Sequence, residues 1–357
     1  MALADLETGA RAGDPRAQIA LARRLDEQGR HDDAINWLST AAGNGSAEAL
    51  GLVGARLVSG VNAPYLPKDG ARLLAEAAGK GDADAAAMLA VLAGGGFHLV
   101  QNWETALDYL QRAAEFGSAS AQAQLRLLAG AEAEGTGADR WATQRRQVSV
   151  ASWTRAPPAR TLSRSPLIQA VEGLVPAEVC DWVVGQASGR LARAEVFDPR
   201  TGKTVMGATR TNRVANFGLQ ETSLLNLFIQ ARLAAATGVE IARMEAFAVL
   251  NYRVGEEASE HFDYLDPSVP AYASEIAGVG QRVMTALLYL NDDYEGGTTD
   301  FPALGLSHRG RRGDGLIFRS VEEAGAPDPR TLHAGRPPTA GEKWVLSQFI
   351  RNRRWVG

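Results

Sequence analysis

A single cysteine, Cys180, stands in a chain of 357 residues. No internal disulfide can form, which fits a reducing compartment. Histidine is scarce as well, with five in the chain. Any imidazole chemistry must therefore draw on His31, His98, His261, His308 or His333. No apolar run approaches the ~18 residues of a membrane-spanning helix, so no membrane association is expected. The N-terminal MALADLETGARAGDP has no cationic stretch leading into an apolar core. It does not read as a secretory signal, and a cytoplasmic location is the default expectation. Excess charge of one sign is missing too: a net charge of −4 gives no general pull toward nucleic acid or anionic membrane. What remains, with 45% hydrophobic and 22% charged residues, is the composition of a globular protein long enough for about two domains.

The first 130 residues repeat. Gly13–Asp14, Gly45–Ser46, Gly81–Asp82 and Gly117–Ser118 recur at spacings of 32, 36 and 36 residues. Helical patterns follow the first three (AQIALARRL, AEALGLVGARL, ADAAAMLAVLA), and a second helical pattern closes each unit (AINWLSTAA, GARLLAEAA, ALDYLQRAA). Trp37, Leu73 and Tyr109 fall at equivalent places, as do Leu38, Leu74 and Leu110. A lone helix pair cannot bury its own apolar face, so stacked pairs in a solenoid are expected. The pairs Ala41–Ala42, Ala77–Ala78 and Ala113–Ala114 allow close helix approach, and the glycines after them fit left-handed C-caps. The segment resembles the tetratricopeptide-like Sel family of repeats. An irregular Ala-rich bundle is the plainer alternative.

Residues 131–166 change character: polar, rich in Gly, Pro and Arg, with little periodicity. They read as a connector. From Leu167 a short strand, a turn and a helix opening near Pro176 are expected, and a second helix over 223–237. Strand-like runs then follow: EAFAVLNYRV, RVMTALLYL, DGLIF and KWVLSQFIR, separated by Gly, Asn, Asp and Pro. Many short strands without alternating helices imply a β-sandwich or jelly roll with helices outside.

Two histidines, His31 and His98, lie in the repeats and read as solvated or packing residues. His261 and Asp263 stand at i and i+2 in EHFDYL, which on an extended strand points both side chains to one side. An imidazole and a carboxylate so placed can take neighbouring positions on a metal. A third ligand completes the two-His, one-carboxylate set that leaves open positions on Fe(II). His308 or His333 must supply it. His308 lies in LSHRGRRG among three arginines and reads as exposed. His333 lies in TLHAGRPPTAGEKW, ten residues before Lys343, with a turn of Gly335, Pro337, Pro338 and Gly341 between. A lysine so placed on the next strand, if buried, needs an anionic partner to stay charged.

The stretch Asn251 to Arg354 resembles the catalytic core of prolyl 4-hydroxylases through NYRVGEEASEHFDY, QRVMTALLYLNDDYEGGTTDFP, GDGLIF and LHAGRPPTAGEKW. Upstream, LIQAVEGLVPAEVCDWV and the TRTN at Thr209–Asn212 are similar to that family's entry segment. The resemblance covers residues 160–357, which leaves 1–130 as the repeat domain and 131–159 as the connector. It implies an α+β multidomain chain: a helical solenoid followed by a double-stranded β-helix, or jelly roll. It also implies an enzyme, an Fe(II)- and 2-oxoglutarate-dependent dioxygenase using O2, with ascorbate as reductant. His261, Asp263 and His333 would hold the iron, and Lys343 would bind the far carboxylate of 2-oxoglutarate. The Tyr252 hydroxyl would help to bind it, and Thr285 would line the cofactor pocket; both also suit ordinary strand positions.

By strand parity Lys343, Val345, Ser347, Phe349 and Arg351 share a face, which brings Phe349 and Arg351 toward the pocket mouth. There Arg351 could meet a substrate carboxylate or carbonyl, or be only a surface charge. The resembled family more often has Trp at the position of Phe349, and usually Tyr where Ala258 stands, three residues before the first ligand. Asp266 and the following SVPAYASEIAGVG lack clear periodicity and read as a candidate lid loop. Asp300 and Arg282 read as structural. The leading expectation is hydroxylation of a prolyl or other side chain in a peptide or protein, with the repeats binding a protein partner or a second copy of the chain. The alternatives are a free amino acid or small molecule as substrate, or a binding scaffold that keeps an inactive dioxygenase domain.

Overall fold

The computed structural model describes residues 3–130, 137–198, 203–205 and 209–354. Residues 131–136 of the connector lie outside the described residues. The chain divides into two compact units, Met1–Val150 with Leu219–Leu227, and Ala151–Gly218 with Phe228–Gly357.

The helical unit runs through Leu3–Arg11, Pro15–Glu27, His31–Gly43, Ala47–Ser59, Pro67–Gly79, Ala83–Gly95, Trp103–Glu115 and Ala119–Ala129. The repeated Gly–Asp/Ser pair ends one helix and starts the next. Gly45, Gly81 and Gly117 hold φ of 90°, 91° and 95°, a conformation only glycine adopts without strain. The Gly45 amide donates to the Ala42 carbonyl at 2.9 Å and the Ser46 amide to Ala41 at 3.1 Å, the Schellman closure of a helix C-terminus. The next residue is then the N-cap: Ser46, Asp82 and Ser118 accept from the amides of Ala49, Ala85 and Ala121 at 3.2, 2.7 and 3.3 Å. Such a cap contributes about 1 kcal/mol. Leu38, Leu74 and Leu110 are buried as the repeat requires. Helices Ala47–Ser59 and Pro67–Gly79 cross at two glycines: a Cβ on Gly54 would lie 2.9 Å from the Gly70 carbonyl oxygen.

Part of the connector is helical, Ala138–Gln147, and its Arg145 pairs with Glu104 and Asp108 at 2.7 and 2.9 Å. The distant segment Leu219–Leu227 belongs to the same unit: the Leu225 amide donates to Gln124 Oε1 at 3.2 Å, and Gln220 Nε2 donates to Ser59 Oγ at 2.7 Å. Among the described residues no helix is long and apolar enough to cross a membrane.

In the second unit the strand-like runs form strands. An eight-stranded sheet has the order Ala159–Arg164, Leu167–Val171, Gly315–Arg319, Arg282–Tyr289, Lys343–Arg351, Ala248–Tyr252, Arg213–Asn216, Ala192–Arg193. A four-stranded sheet has the order Leu306–His308, Thr299–Phe301, His333–Gly335, Ala258–His261. Every strand pair in the two sheets is antiparallel. Ile168, Tyr289, Phe301, Leu316, Phe318 and Val345 pack as one apolar cluster of this unit. The expected jelly-roll class is the fold observed.

Three local expectations are corrected. The stretch read as an irregular lid contains the helix Pro270–Val279, opened by a proline at its first turn. None of its residues is buried, so no apolar stripe marks it in the sequence. His308 is not an exposed loop residue. It ends the strand Leu306–His308 half-buried, its ring edge-on to Tyr289 at 5.8 Å, and burial lowers its pKa. Arg351 does not follow the parity of its strand, because the register shifts between Ile350 and Arg351.

Candidate metal centre

His261 and His333 face each other across paired strands, in register, with ring centroids 4.3 Å apart. A backbone carbonyl two residues earlier holds each ring. His261 Nδ1 lies 2.7 Å from Ser259 O, and His333 Nδ1 lies 3.0 Å from Thr331 O. Because a carbonyl only accepts, each Nδ1 carries the proton and each neutral ring keeps its Nε2 lone pair free. Those Nε2 atoms lie 3.5 and 3.4 Å from the Asp263 carboxylate oxygens, and the three groups offer ligand atoms all within 4.8 Å of one another.

Asp263 is buried, at 7% exposure. Burial opposes its charge, but His333, His261 and the Thr285 hydroxyl outweigh it and hold the carboxyl well below its usual range. Burial pushes His333 down to about 4, against the attraction of Asp263. Near neutral pH, then, the His333 imidazole and the Asp263 carboxylate turn unprotonated atoms toward a common point. Lone pairs converging in a low-dielectric interior fit a divalent cation of borderline softness, as the two-His, one-carboxylate donor set does.

Lys343 stands in register with Tyr252 on the neighbouring strand and is 2% exposed. Its Nζ lies 5.2 Å from the Tyr252 ring centroid and 5.8 Å from that of Tyr289. It forms no ion pair among the described residues, and burial pushes its pKa down to about 7. Burial pushes the Tyr252 phenol up to about 12, so the hydroxyl keeps its proton and remains a donor. Tyr252, Lys343, His261, Asp263 and His333 line one pocket, together with Ala258 and Phe349.

The Thr285 hydroxyl donates to Asp263 Oδ2 at 2.7 Å and so orients a carboxylate that lines the pocket. Arg351 is 1% exposed and points elsewhere: its Nε donates to Glu245 Oε1 at 2.7 Å, and its guanidinium also engages Glu275. Arg282 holds the same Glu245 at 2.7 and 2.9 Å while its guanidinium lies 4.0 Å from the Phe349 ring centroid. The structure adds Arg210 and Thr299 to the pocket lining. Both lie in stretches that carry the family resemblance, TRTN and GGTTDFP, but the sequence reading gave neither a role: Thr299 is a small polar residue in a three-residue strand, and Arg210 enters through an isolated bridge to Ala258.

The sequence model of the 2OG-Fe(II) oxygenase superfamily matches residues 247–351. Prolyl 4-hydroxylase 1 of Arabidopsis thaliana is 31% identical over 206 residues, covering 54% of this chain and 71% of that protein. Prolyl 4-hydroxylase subunit alpha-1 of Gallus gallus is 32% identical over 180 residues, covering 50% of this chain and 34% of the subunit. The chain thus spans about a third of the length of the animal subunits it matches. A Sel1 repeat protein from Oxalobacter formigenes is similar to 35% of this chain over 96% of its own, at 29% identity and a TM-score of 0.31. The strand order, the facing histidines and the relatives agree, and the chain belongs to the prolyl 4-hydroxylase family of 2-oxoglutarate–Fe(II) oxygenases.

Proposed function

We propose that this enzyme hydroxylates an aliphatic C–H bond in a prolyl or other side chain of a peptide or protein. His261, Asp263 and His333 hold Fe(II), and Lys343 anchors 2-oxoglutarate. The observation that carries this reading is one pocket that brings together three side chains of metal-ligating type, with ligand atoms all within 4.8 Å of one another, and the buried amine of Lys343. With iron bound, the site supplies oxidative decarboxylation: 2-oxoglutarate, O2 and R–H give succinate, CO2 and R–OH. The chain's own residues do the rest. Ser259 and Thr331 fix the imidazole tautomers, and Thr285 orients the Asp263 carboxylate. Lys343 places a positive charge for the far carboxylate of 2-oxoglutarate, with Tyr252 beside it as a neutral donor. Burial of these groups excludes water that would screen them.

Ascorbate serves as reductant and the enzyme acts in the cytoplasm. The repeats, residues 1–130, bind a protein target or a second copy of the chain, and residues 160–357 carry the chemistry. A second reading keeps the chemistry but takes a free amino acid or small molecule, and Ala258 favours it: a methyl, 2% exposed, is all that this residue contributes to the pocket wall. One experiment separates the readings. Purified enzyme with Fe(II), ascorbate and 2-oxoglutarate is assayed for succinate with proline-rich peptides, with free amino acids and with neither, followed by mass spectrometry for a gain of one oxygen. Peptide-stimulated succinate with an oxygenated peptide supports the first reading. Stimulation by amino acids alone supports the second, and no succinate under any condition refutes both.

A further inference from the structure

A second cavity of the catalytic unit, an open groove of about 450 Å³, is lined by Arg193, Thr211, Arg213, Val254, Gly255 and Glu256. Arg213 is in register with Asn251, the neighbour of Tyr252. Successive strand residues point to opposite faces, so Arg213 faces away from the metal pocket that Tyr252 lines. Arg193 is in register with Arg213 on the edge strand Ala192–Arg193 and shares its face. Two like charges directly opposite each other destabilise a strand pair. Neither guanidinium has an ion-pair partner among the described residues.

The other groups of the groove are committed elsewhere. Glu256 Oε2 accepts the Arg253 amide at 2.9 Å, which holds the carboxylate against its own turn. The Thr211 hydroxyl accepts the Glu257 amide at 2.8 Å. Val254, 60% exposed, supplies an apolar wall. The groove therefore presents two adjacent guanidinium forks, with no ion-pair partner among the described residues, and one apolar side. Paired forks match the geometry of an oxyanion.

We propose that this groove binds an oxyanion, the carboxylate of an acidic peptide side chain, between Arg193 and Arg213. The site stands apart from the metal ligands and does not depend on the hydroxylase reading. It would select peptides by an acidic residue outside the metal pocket.

The test uses the whole chain labelled with 15N-arginine, following the side-chain Nε–Hε signals by NMR. Arg193→Gln and Arg213→Gln assign the two signals. The probes are a capped Ala-Glu-Glu-Ala peptide, its Ala-Gln-Gln-Ala counterpart and inorganic phosphate. The expected result is that the Glu peptide moves both signals together and saturably while the Gln peptide moves neither. Each substitution then weakens the response of the remaining arginine at least about tenfold, the loss of one charge-assisted hydrogen bond. Saturation by phosphate alone overturns the carboxylate assignment. Absence of saturation with either anion overturns the site, as does an equal loss on substituting Arg253, which lies outside the groove lining.

Discussion

Lys343 offers the sharpest test of the ligand reading, because the structure sets its charge state in opposition to its role. Burial lowers its pKa to about 7 in the free protein, against an ordinary value of about 10.4. The dianion 2-oxoglutarate, bound against Nζ, favours the ammonium and raises that pKa. Between the two values, binding must take up a proton. The sign follows: affinity for 2-oxoglutarate is greatest below about pH 7 and falls as pH rises through it. At pH 8 roughly a tenth of the free sites carry the charge, a loss of about elevenfold, or ~1.4 kcal/mol. Lys343→Ala removes the pH dependence together with the contact itself. It should weaken binding by about tenfold to a hundredfold, from the 1.5–3 kcal/mol of a charge-assisted hydrogen bond. The assay is anaerobic calorimetry with Mn(II) in the metal site, in two buffers of different ionisation enthalpy. The native protein at pH 8 should take up close to one proton per 2-oxoglutarate, and the variant none. Affinity that stays flat from pH 6.5 to 8.5, with no proton uptake, would refute the placement of Lys343 against the ligand.

Three further outcomes are expected. His333→Ala abolishes metal-dependent succinate formation while His308→Ala, outside the ligand cluster, retains it; activity in the first variant would remove His333 from the metal. Thr285→Val, nearly equal in volume, loses the 2.7 Å bond to Asp263 and should weaken metal affinity about tenfold to a hundredfold, read by competition with a chromogenic chelator. A chain truncated to begin at Ser149 should keep metal and 2-oxoglutarate binding, since every residue of the site lies in the second unit. It uncovers buried Leu224, Leu225 and Leu227, so it should also be less soluble; a soluble truncated chain that binds no 2-oxoglutarate would make the repeats part of the site.

The cluster of His261, Asp263 and His333 was legible because its geometry is local. Each histidine is oriented by the carbonyl two residues before it, Ser259 for His261 and Thr331 for His333. His261 ends the strand Ala258–His261, and Asp263 follows in the bend just beyond it, only two residues on. Lys343 was legible for the same reason, since strand parity holds along Lys343–Phe349. The reading failed where one bulge intervened. At Ile350–Arg351 the register shifts, and Arg351 turns from the pocket mouth to Glu245 and Glu275.

The repeats show the same division. Their 36-residue period was readable because each Gly–Asp/Ser pair is a short-range device, a Schellman glycine followed by an N-cap. No period reveals that Leu219–Leu227, some ninety residues beyond the last repeat, packs within that unit. That segment is tied to the repeats by hydrogen bonds from the Leu225 amide to Gln124 and from Gln220 to Ser59, and bonds of that reach leave no spacing in the sequence. The part of the pocket lined by Arg210, Ala258 and Phe349 is built in the same non-local way. Arg210 reaches it by a lone bridge to Ala258, and Phe349 is held from behind by Arg282, which Glu245 holds in turn. The two histidines of the candidate metal centre are oriented by residues two positions away, so they are recognisable in isolation. Arg210 and Phe349 are placed by distant residues, and their meaning appears only when the chain is folded.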